Sequence, residues 1–238
     1  MAAYVISDIH GEYDLFCRML EKIGFGDEDI LYVLGDVLDR GPHPVKTLQK
    51  LMEMPNAVCI VGNHELMALD GLKLLRQEIT EESIAKMDSK TVEELTIWIN
   101  YNGGRSTLDE FRALDRDTQN DVIEFIRDFS IYEEASVCGK DYIMVHAGLG
   151  NFHPGKEMDE YSLKELVWDR ADTDIVYYPD KYVISGHTPT QYIPGNPRPG
   201  YIYRKNNHIA IDCGAYVKGG RLAAFCLDTG EEFYVPHT

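Results

Sequence analysis

Five short segments of the chain place glycine beside residues that can hold a metal ion or move a proton. They are Asp8-Ile9-His10-Gly11, Gly35-Asp36-Val37-Leu38-Asp39-Arg40-Gly41, Gly62-Asn63-His64-Glu65, His146-Ala147-Gly148 and Gly186-His187-Thr188-Pro189. Carboxylate, imidazole and amide oxygen together make a mixed N/O donor set, which suits Mn, Fe or Zn better than the all-oxygen cages of Mg or Ca. Residues two apart in extended chain point to one side, so Asp8 and His10 are expected to reach a common ion. Each segment alone reads equally well as a polar turn or a surface histidine. Five in succession, each at the end of an apolar run, point to one site assembled from strand ends, with glycine giving the sharp turns. Four of the eight histidines fall in these segments. The other four, His43, His153, His208 and His237, read as surface or loop positions.

The elements that must position these residues follow from hydrophobic patterning. Ala3–Ser7, Ile30–Leu34 and Val58–Val61 are short, apolar and rich in β-branched residues, so they read as buried strands. Leu15, Met19, Leu20 and Ile23 between them share one helical face, as do Val45, Leu48, Leu51 and Met52. This alternation predicts an α/β layer with its loops at the strand ends. Residues 71–129 carry apolar side chains at helical spacing, with Thr91 and Glu94 as a candidate capping box, and read as a helical cover. Residues 130–238 return to short strands: Asp141–Val145, Tyr182–Ser185, Tyr201–Tyr203, His208–Ile211, Arg221–Leu227 and Phe233–Val235. With no helices between most of them, an antiparallel or mixed second sheet is expected. No linker is visible, so residues 1–238 read as one domain built of two face-to-face sheets flanked by helices.

Composition limits what such a site serves. The 238 residues include 40 acidic and 23 basic ones, a net charge of −17. That surface repels phosphate backbones, so bulk nucleic-acid binding is not expected, and an anionic substrate needs a local positive feature. Purely apolar runs such as Ala2–Ile6 and Ile30–Leu34 are far below the ~20 residues of a membrane span. Asp8 arrives before any apolar stretch of signal-peptide length. The five cysteines are odd in number and form no CxxC pair, which fits reduced thiols serving as small buried hydrophobes. Together these features read as a cytoplasmic protein, here taken as a monomer.

The series DIHG, GDVLDRG, GNHE, HAG and GHTP resembles the phosphoprotein phosphatase family of metallophosphoesterases, in the family's order and over roughly residues 4–216. It is most similar to the small bacterial and phage type. Trp98–Leu108 (WINYNGGRSTL) resembles that group's Asn-Gly-Gly segment, and Leu166–Arg170 (LVWDR) its Trp-x-Arg segment. The resemblance implies the metallophosphoesterase fold, an α/β/β/α sandwich of two mixed sheets, and two divalent ions, with manganese first and Fe or Zn as alternatives. By it, Asp8, His10 and Asp36 would bind one ion. Asp36 would bridge to a second ion completed by Asn63, His146 and His187. A hydroxide shared by the ions would attack phosphorus in line. Arg40 and Arg170 would bind the phosphate, a task for which a guanidinium fork is better shaped than lysine. His64 would protonate the leaving oxygen, with Asp39 orienting its imidazole; the competing reading of Asp39 is an ion pair with a neighbouring arginine. Asp212 and Tyr216, in a late D-x-G-A strand end, and Arg105 are further candidates near the pocket.

The activity so implied is a serine/threonine protein phosphatase, with phosphotyrosine as a further substrate, acting on a phosphorylated protein or a small phosphoester. The alternative is a symmetrical diadenosine tetraphosphate hydrolase of the same superfamily. The family's dinucleotide hydrolases carry Ala where Asp39 stands and Asp where Glu65 stands, so GDVLDRG and GNHE side with the protein phosphatases. A third reading, a binding module that has lost catalysis, is opposed by the full ligand set.

Overall fold

The computed structural model describes residues 1–76 and 89–238; the part of the expected helical cover at 77–88 lies outside the described residues. Strands β1 (Ala3–Ile6), β2 (Ile30–Val33) and β3 (Ala57–Cys59) alternate with helices α1 (Tyr13–Ile23) and α2 (Pro44–Met52). Among the described residues, three helices of the cover follow α3 (Asn63–Arg76): α4 (Ser89–Tyr101), α5 (Gly104–Arg112) and α6 (Arg116–Arg127). Thr91 stands inside α4 instead of capping it. The second half contains β4 (Tyr132–Val137), β5 (Lys140–Val145), a short helix α7 (Leu163–Val167), β6 (Lys181–Ser185), β7 (Tyr203–Lys205), β8 (His208–Ala210), β9 (Arg221–Cys226) and β10 (Glu232–Pro236).

Two mixed five-stranded sheets result, ordered β10-β9-β1-β2-β3 and β4-β5-β6-β8-β7. The last two strands therefore leave the second half of the chain and pair back onto the first sheet, with β9 antiparallel to β1. The cause is visible in β1, a strand whose four residues are all buried. A central strand of this kind needs a ladder on both edges, and β2 supplies only one.

The alternation of side chains along β1 assigns the layers. Tyr4 and Ile6 face a core shared with Phe16, Leu48, Leu72 and Ile126 of the helices. Ala3 and Val5 face a second core, between the sheets, with Met144, Ile184, Ile209 and Phe225. The outer face of the second sheet packs Ile143, Val145 and Val183 under Leu166 and Val167 of α7 and under Tyr177. The order of layers is helices, sheet, sheet, and a thinner cover of one short helix with loops. β1, β2 and β3 run parallel to one another, and β5, β6 and β8 do likewise. Their C-terminal ends lead into one crevice.

Candidate active site

Every segment singled out in the sequence begins where one of these parallel strands stops. Asp8 and His10 follow β1, Asp36 follows β2, Asn63 opens α3 after β3, His146 follows β5, and His187 follows β6. The loops are laced to one another: Asp8 N–H donates to Gly35 O, and His10 N–H to Asp36 O. Asp8 and His10 are not extended as expected. Both are left-handed, at φ 51° and 47°, and so are Asp36, Asp39, Arg40 and His187. Six such non-glycine residues at one place are a concentration of backbone strain held by the surrounding bonds. Crowding explains two of the glycines. A Cβ on Gly62 would lie 2.3 Å from Asp36 Oδ1, and one on Gly186 2.2 Å from Asp8 Oδ2.

Asp36 is the centre of the cluster. Its Oδ2 lies 3.6 Å from His10 Nε2 and 3.9 Å from His64 Nε2, while its Oδ1 lies 3.4 Å from His146 Nε2. Two overlapping groups of donor atoms result, His10–Asp36–His64 and Asp36–His146–His187, each with its atoms within 4.8 Å of one another. Asn63 Oδ1 stands 3.0 Å from His146 Nε2. Asp8 is outside both groups; its two oxygens accept the backbone N–H of His187 at 3.2 and 3.0 Å.

The ring nitrogens that do not face the cluster are tied down. His10 Nδ1 donates to Leu38 O at 2.9 Å and His146 Nδ1 to Leu34 O at 2.6 Å. A carbonyl only accepts, so Nδ1 carries the proton in both rings and each Nε2 presents a lone pair inward. At His146 that lone pair faces the oxygens of Asn63 and Asp36, three acceptors with no proton among them. A cation resolves that arrangement, and the donor set fits a divalent metal.

The electrostatics agree. Burial, with His146 next, drives the His187 imidazole down to about 4, and burial lowers His10 and His146 as well. Burial thus favours the neutral form of all three. Burial raises the Asp8 carboxyl well above the usual range, aided by Asp212 and Asp36. Burial also pushes Asp212 up to about 7. Asp36 behaves otherwise: burial favours its neutral form, but the imidazoles of His146, His64, His10 and His187 prevail and hold it low. Several buried acids crowded together repel one another until a positive charge enters.

His64 sits at the rim of the cluster with Nδ1 2.7 Å from Asp39 Oδ2. Asp39 thus pairs with the histidine and not with an arginine. Burial disfavours a charged His64, yet Asp36 and Asp39 outweigh it, and its pKa is raised. The Arg40 guanidinium spans the two rings, with Nη1 2.8 Å from His10 Nε2 and Nη2 2.9 Å from His64 Nε2. It also lies over the Tyr216 ring at 4.3 Å, and Tyr216 in turn stands edge-on to His10. Arg170 is exposed, close enough to His187 for its charge to depress that imidazole. Arg105 is an exposed residue of α5.

Two features were not foreseen from sequence. Glu65 is fully buried and accepts four backbone N–H groups, from Asp36, Gly62, Val37 and Leu38, at 2.7–3.1 Å. It is the peg on which the loops after β2 and β3 are hung; an acid two residues past a candidate ligand was the available signal. His208, read as a surface residue, is buried on β8, with Nε2 2.9 Å from Ser185 Oγ. Its neighbours Ile209, Ala210 and Ile211 are equally buried, so the strand is covered on both faces.

Residues 1–191 match the family described as calcineurin-like phosphoesterase. The serine/threonine-protein phosphatase 2 of Salmonella typhimurium is 26% identical, over 91% of this chain and 88% of its own length. The bis(5'-nucleosyl)-tetraphosphatase PrpE [asymmetrical] of Halalkalibacterium halodurans is also 26% identical, over 98% of this chain and 92% of its own length. Among solved structures, a metallophosphoesterase from Sphaerobacter thermophilus superposes with a TM-score of 0.59 at 14% identity, covering 100% of this chain and 88% of that one; the likeness is one of fold.

Proposed function

The chain belongs to the calcineurin-like phosphoesterase family, and on that premise we propose that it is a metal-dependent serine/threonine protein phosphatase that also accepts phosphotyrosine. The observation that carries this reading is the buried contact between His64 Nδ1 and Asp39 Oδ2 at 2.7 Å. A phosphoserine or phosphothreonine ester leaves as an alkoxide and needs a proton, which an imidazole held charged by a carboxylate can deliver. The near-full-length likeness to a protein phosphatase supports it.

In this reading Asp8, His10 and Asp36 would hold one divalent ion, and Asp36, Asn63, His146 and His187 would hold the other. The mixed nitrogen and oxygen donors suit manganese, iron or zinc, and the family resemblance puts manganese first. The ions, when bound, supply an activated water as nucleophile and positive charge for the phosphate oxygens. The protein's own residues do the rest. Arg40 and Arg170 grip the phosphate and give an acidic protein a local positive well. Asp36, with its two oxygens turned to different imidazoles, keeps the two halves of the site in register. His64 gives its Nε2 proton to the departing oxygen, while Asp39 keeps Nδ1 protonated and the ring in place. The P–O ester bond breaks, a bond from water oxygen to phosphorus forms, and the products are the alcohol and inorganic phosphate. Five unpaired cysteines fit a reducing, cytoplasmic setting. Among the described residues, no helix is long and apolar enough to cross a membrane.

Cleavage of a dinucleoside tetraphosphate is the second reading, favoured by the equally extensive likeness to a tetraphosphatase. Side-by-side kcat/KM values with manganese decide between the two, using a phosphothreonine peptide, p-nitrophenyl phosphate and diadenosine tetraphosphate. The peptide is expected to exceed the dinucleotide. A dinucleotide value above the peptide's transfers the assignment to the second reading.

A further inference from the structure

Asp39 is held by more than His64. Its Oδ2 accepts the indole N–H of Trp98 at 2.8 Å as well as His64 Nδ1 at 2.7 Å. Its Oδ1 accepts the Thr107 hydroxyl at 2.6 Å, and its backbone N–H donates back to the same hydroxyl at 2.9 Å. The next residue is also caught: Arg40 N–H donates to Gly103 O at 3.1 Å. Asp39 and Arg40 are both left-handed, at φ 69° and 68°. A turn of that kind, made by residues with side chains, persists only where its surroundings fix it. Beyond the histidine contacts, the fixing comes from the junction of α4 and α5, the segment Trp98–Thr107. That junction belongs to the helical cover and contributes no group to the metal cluster.

Trp98 is built in for this purpose. It is 1% exposed, and its ring lies in a slot walled by Gly71 of α3 and Gly104 of α5. A Cβ on Gly71 would stand 2.3 Å from the ring, and one on Gly104 2.5 Å. An indole N–H only donates and carries no charge, so it adds direction to the carboxylate without supplying a counter-ion. Packing alone would be met by any ring of that size; the N–H aimed at Oδ2 goes beyond packing.

We propose that Trp98 and Thr107 are positioning residues that clamp the Asp39 carboxylate, so that the α4–α5 junction sets the orientation of His64 for proton delivery. This rests on the reading of His64 as proton donor. With Thr107 on Oδ1 and Trp98 on one side of Oδ2, the carboxylate plane is fixed and the remaining acceptor direction of Oδ2 points toward His64 Nδ1. The ring is then held with Nε2 toward the Arg40 guanidinium, 2.9 Å away, the side from which the proposed function brings the phosphate ester; a phosphate that takes the Arg40 donors frees Nε2 to carry the proton.

The test uses Trp98→Phe, which keeps an aromatic ring in the slot, and Thr107→Val, with Thr107→Ser as the conservative control. kcat/KM is measured with manganese on a phosphothreonine peptide and on p-nitrophenyl phosphate, with folding checked by thermal melting. Loss of a hydrogen bond to a charged group is expected to lower the peptide rate about tenfold in W98F and T107V, with T107S near the parent. The aryl ester, whose leaving group departs unprotonated, is expected to change by less than about threefold. Each variant is then repeated in an Asp39→Ala background, where Trp98→Phe is expected to change the peptide rate by less than about twofold. An undiminished W98F effect in that background, or no effect in the parent, overturns the clamp. His64→Asn, run alongside, reports on the donor reading separately. If it costs both esters equally, that reading falls, and the Asp39→Ala cycle alone still decides whether Trp98 acts through Asp39.

Discussion

Nδ1 of His64 and Oδ2 of Asp39 lie 2.7 Å apart, and both side chains are almost wholly withdrawn from water. A contact of this kind favours the imidazolium, and the raised His64 pKa follows from Asp36 and Asp39 prevailing over burial. Because the folded value is raised, the acid form is retained to a higher pH than in free histidine and is lost as pH rises through that value. kcat on alkyl phosphates is therefore expected to fall on the alkaline side. His64→Asn is expected to remove that limb and to cost alkyl esters about 10²-fold or more. A pH–rate series on a phosphothreonine peptide and on p-nitrophenyl phosphate checks both points.

Arg40 reaches His10 Nε2 and His64 Nε2 with separate nitrogens, 2.8 and 2.9 Å away. In the proposed function it is one of the two arginines that grip the phosphate. Arg40→Ala is expected to lower kcat/KM about 10²-fold, the scale of losing a preorganised charge contact in a transition state. Ala at the exposed Lys140 is expected to change little. Equal effects would remove Arg40 from the site.

Glu65 offers a test of stability. Gln at this position keeps the shape but turns an amide N–H₂ toward backbone donors. With four N–H groups relying on this one carboxylate, the change is expected to cost about 2–4 kcal/mol. Denaturant unfolding of Glu65→Gln reads it directly, and a loss below about 0.5 kcal/mol would contradict the peg role.

His208 gives the acid branch of stability a definite sign. Burial lowers its pKa to about 4, below the ~6.5 of an unfolded chain. Above both values the group is neutral in either state, and its contribution is complete. As pH falls from about 6.5 toward 4, the unfolded chain takes up a proton that the folded one refuses, so stability declines by up to about 3 kcal/mol. His208→Gln can still bond to Ser185 and is expected to flatten that decline. Unfolding free energies at several pH values between 4 and 7 check it.

The parts of the site that could be read from sequence are those where chemistry and turn geometry fall within a few residues. Asp8, His10, Asp36, Asn63, His146 and His187 each stand within three residues of a glycine at a strand end, and all are brought to one crevice. What escaped depends on distance or on strain. The pairing of β9 with β1 joins residues over 200 apart, and nothing local in Arg221–Cys226 selects the first sheet over the second. β4 was passed over because Tyr132–Val137 is a half-exposed edge strand with adjacent glutamates, Glu133 and Glu134. The left-handed backbone at Asp8 and His10 replaces the expected extended one because the β1 and β2 loops bond to each other. Trp98–Leu108 was matched by resemblance, but the contact from its indole to Asp39 spans 59 positions and carries no local signal.

Diffraction from crystals soaked in manganese, recorded for anomalous scattering, bears most directly on the site. Two ions are expected, both touching Asp36, one beside His10 and Asp8 and the other beside Asn63, His146 and His187. An absence of anomalous density among these side chains, or a single ion that leaves Asp36 untouched, would contradict a two-metal phosphoesterase centre.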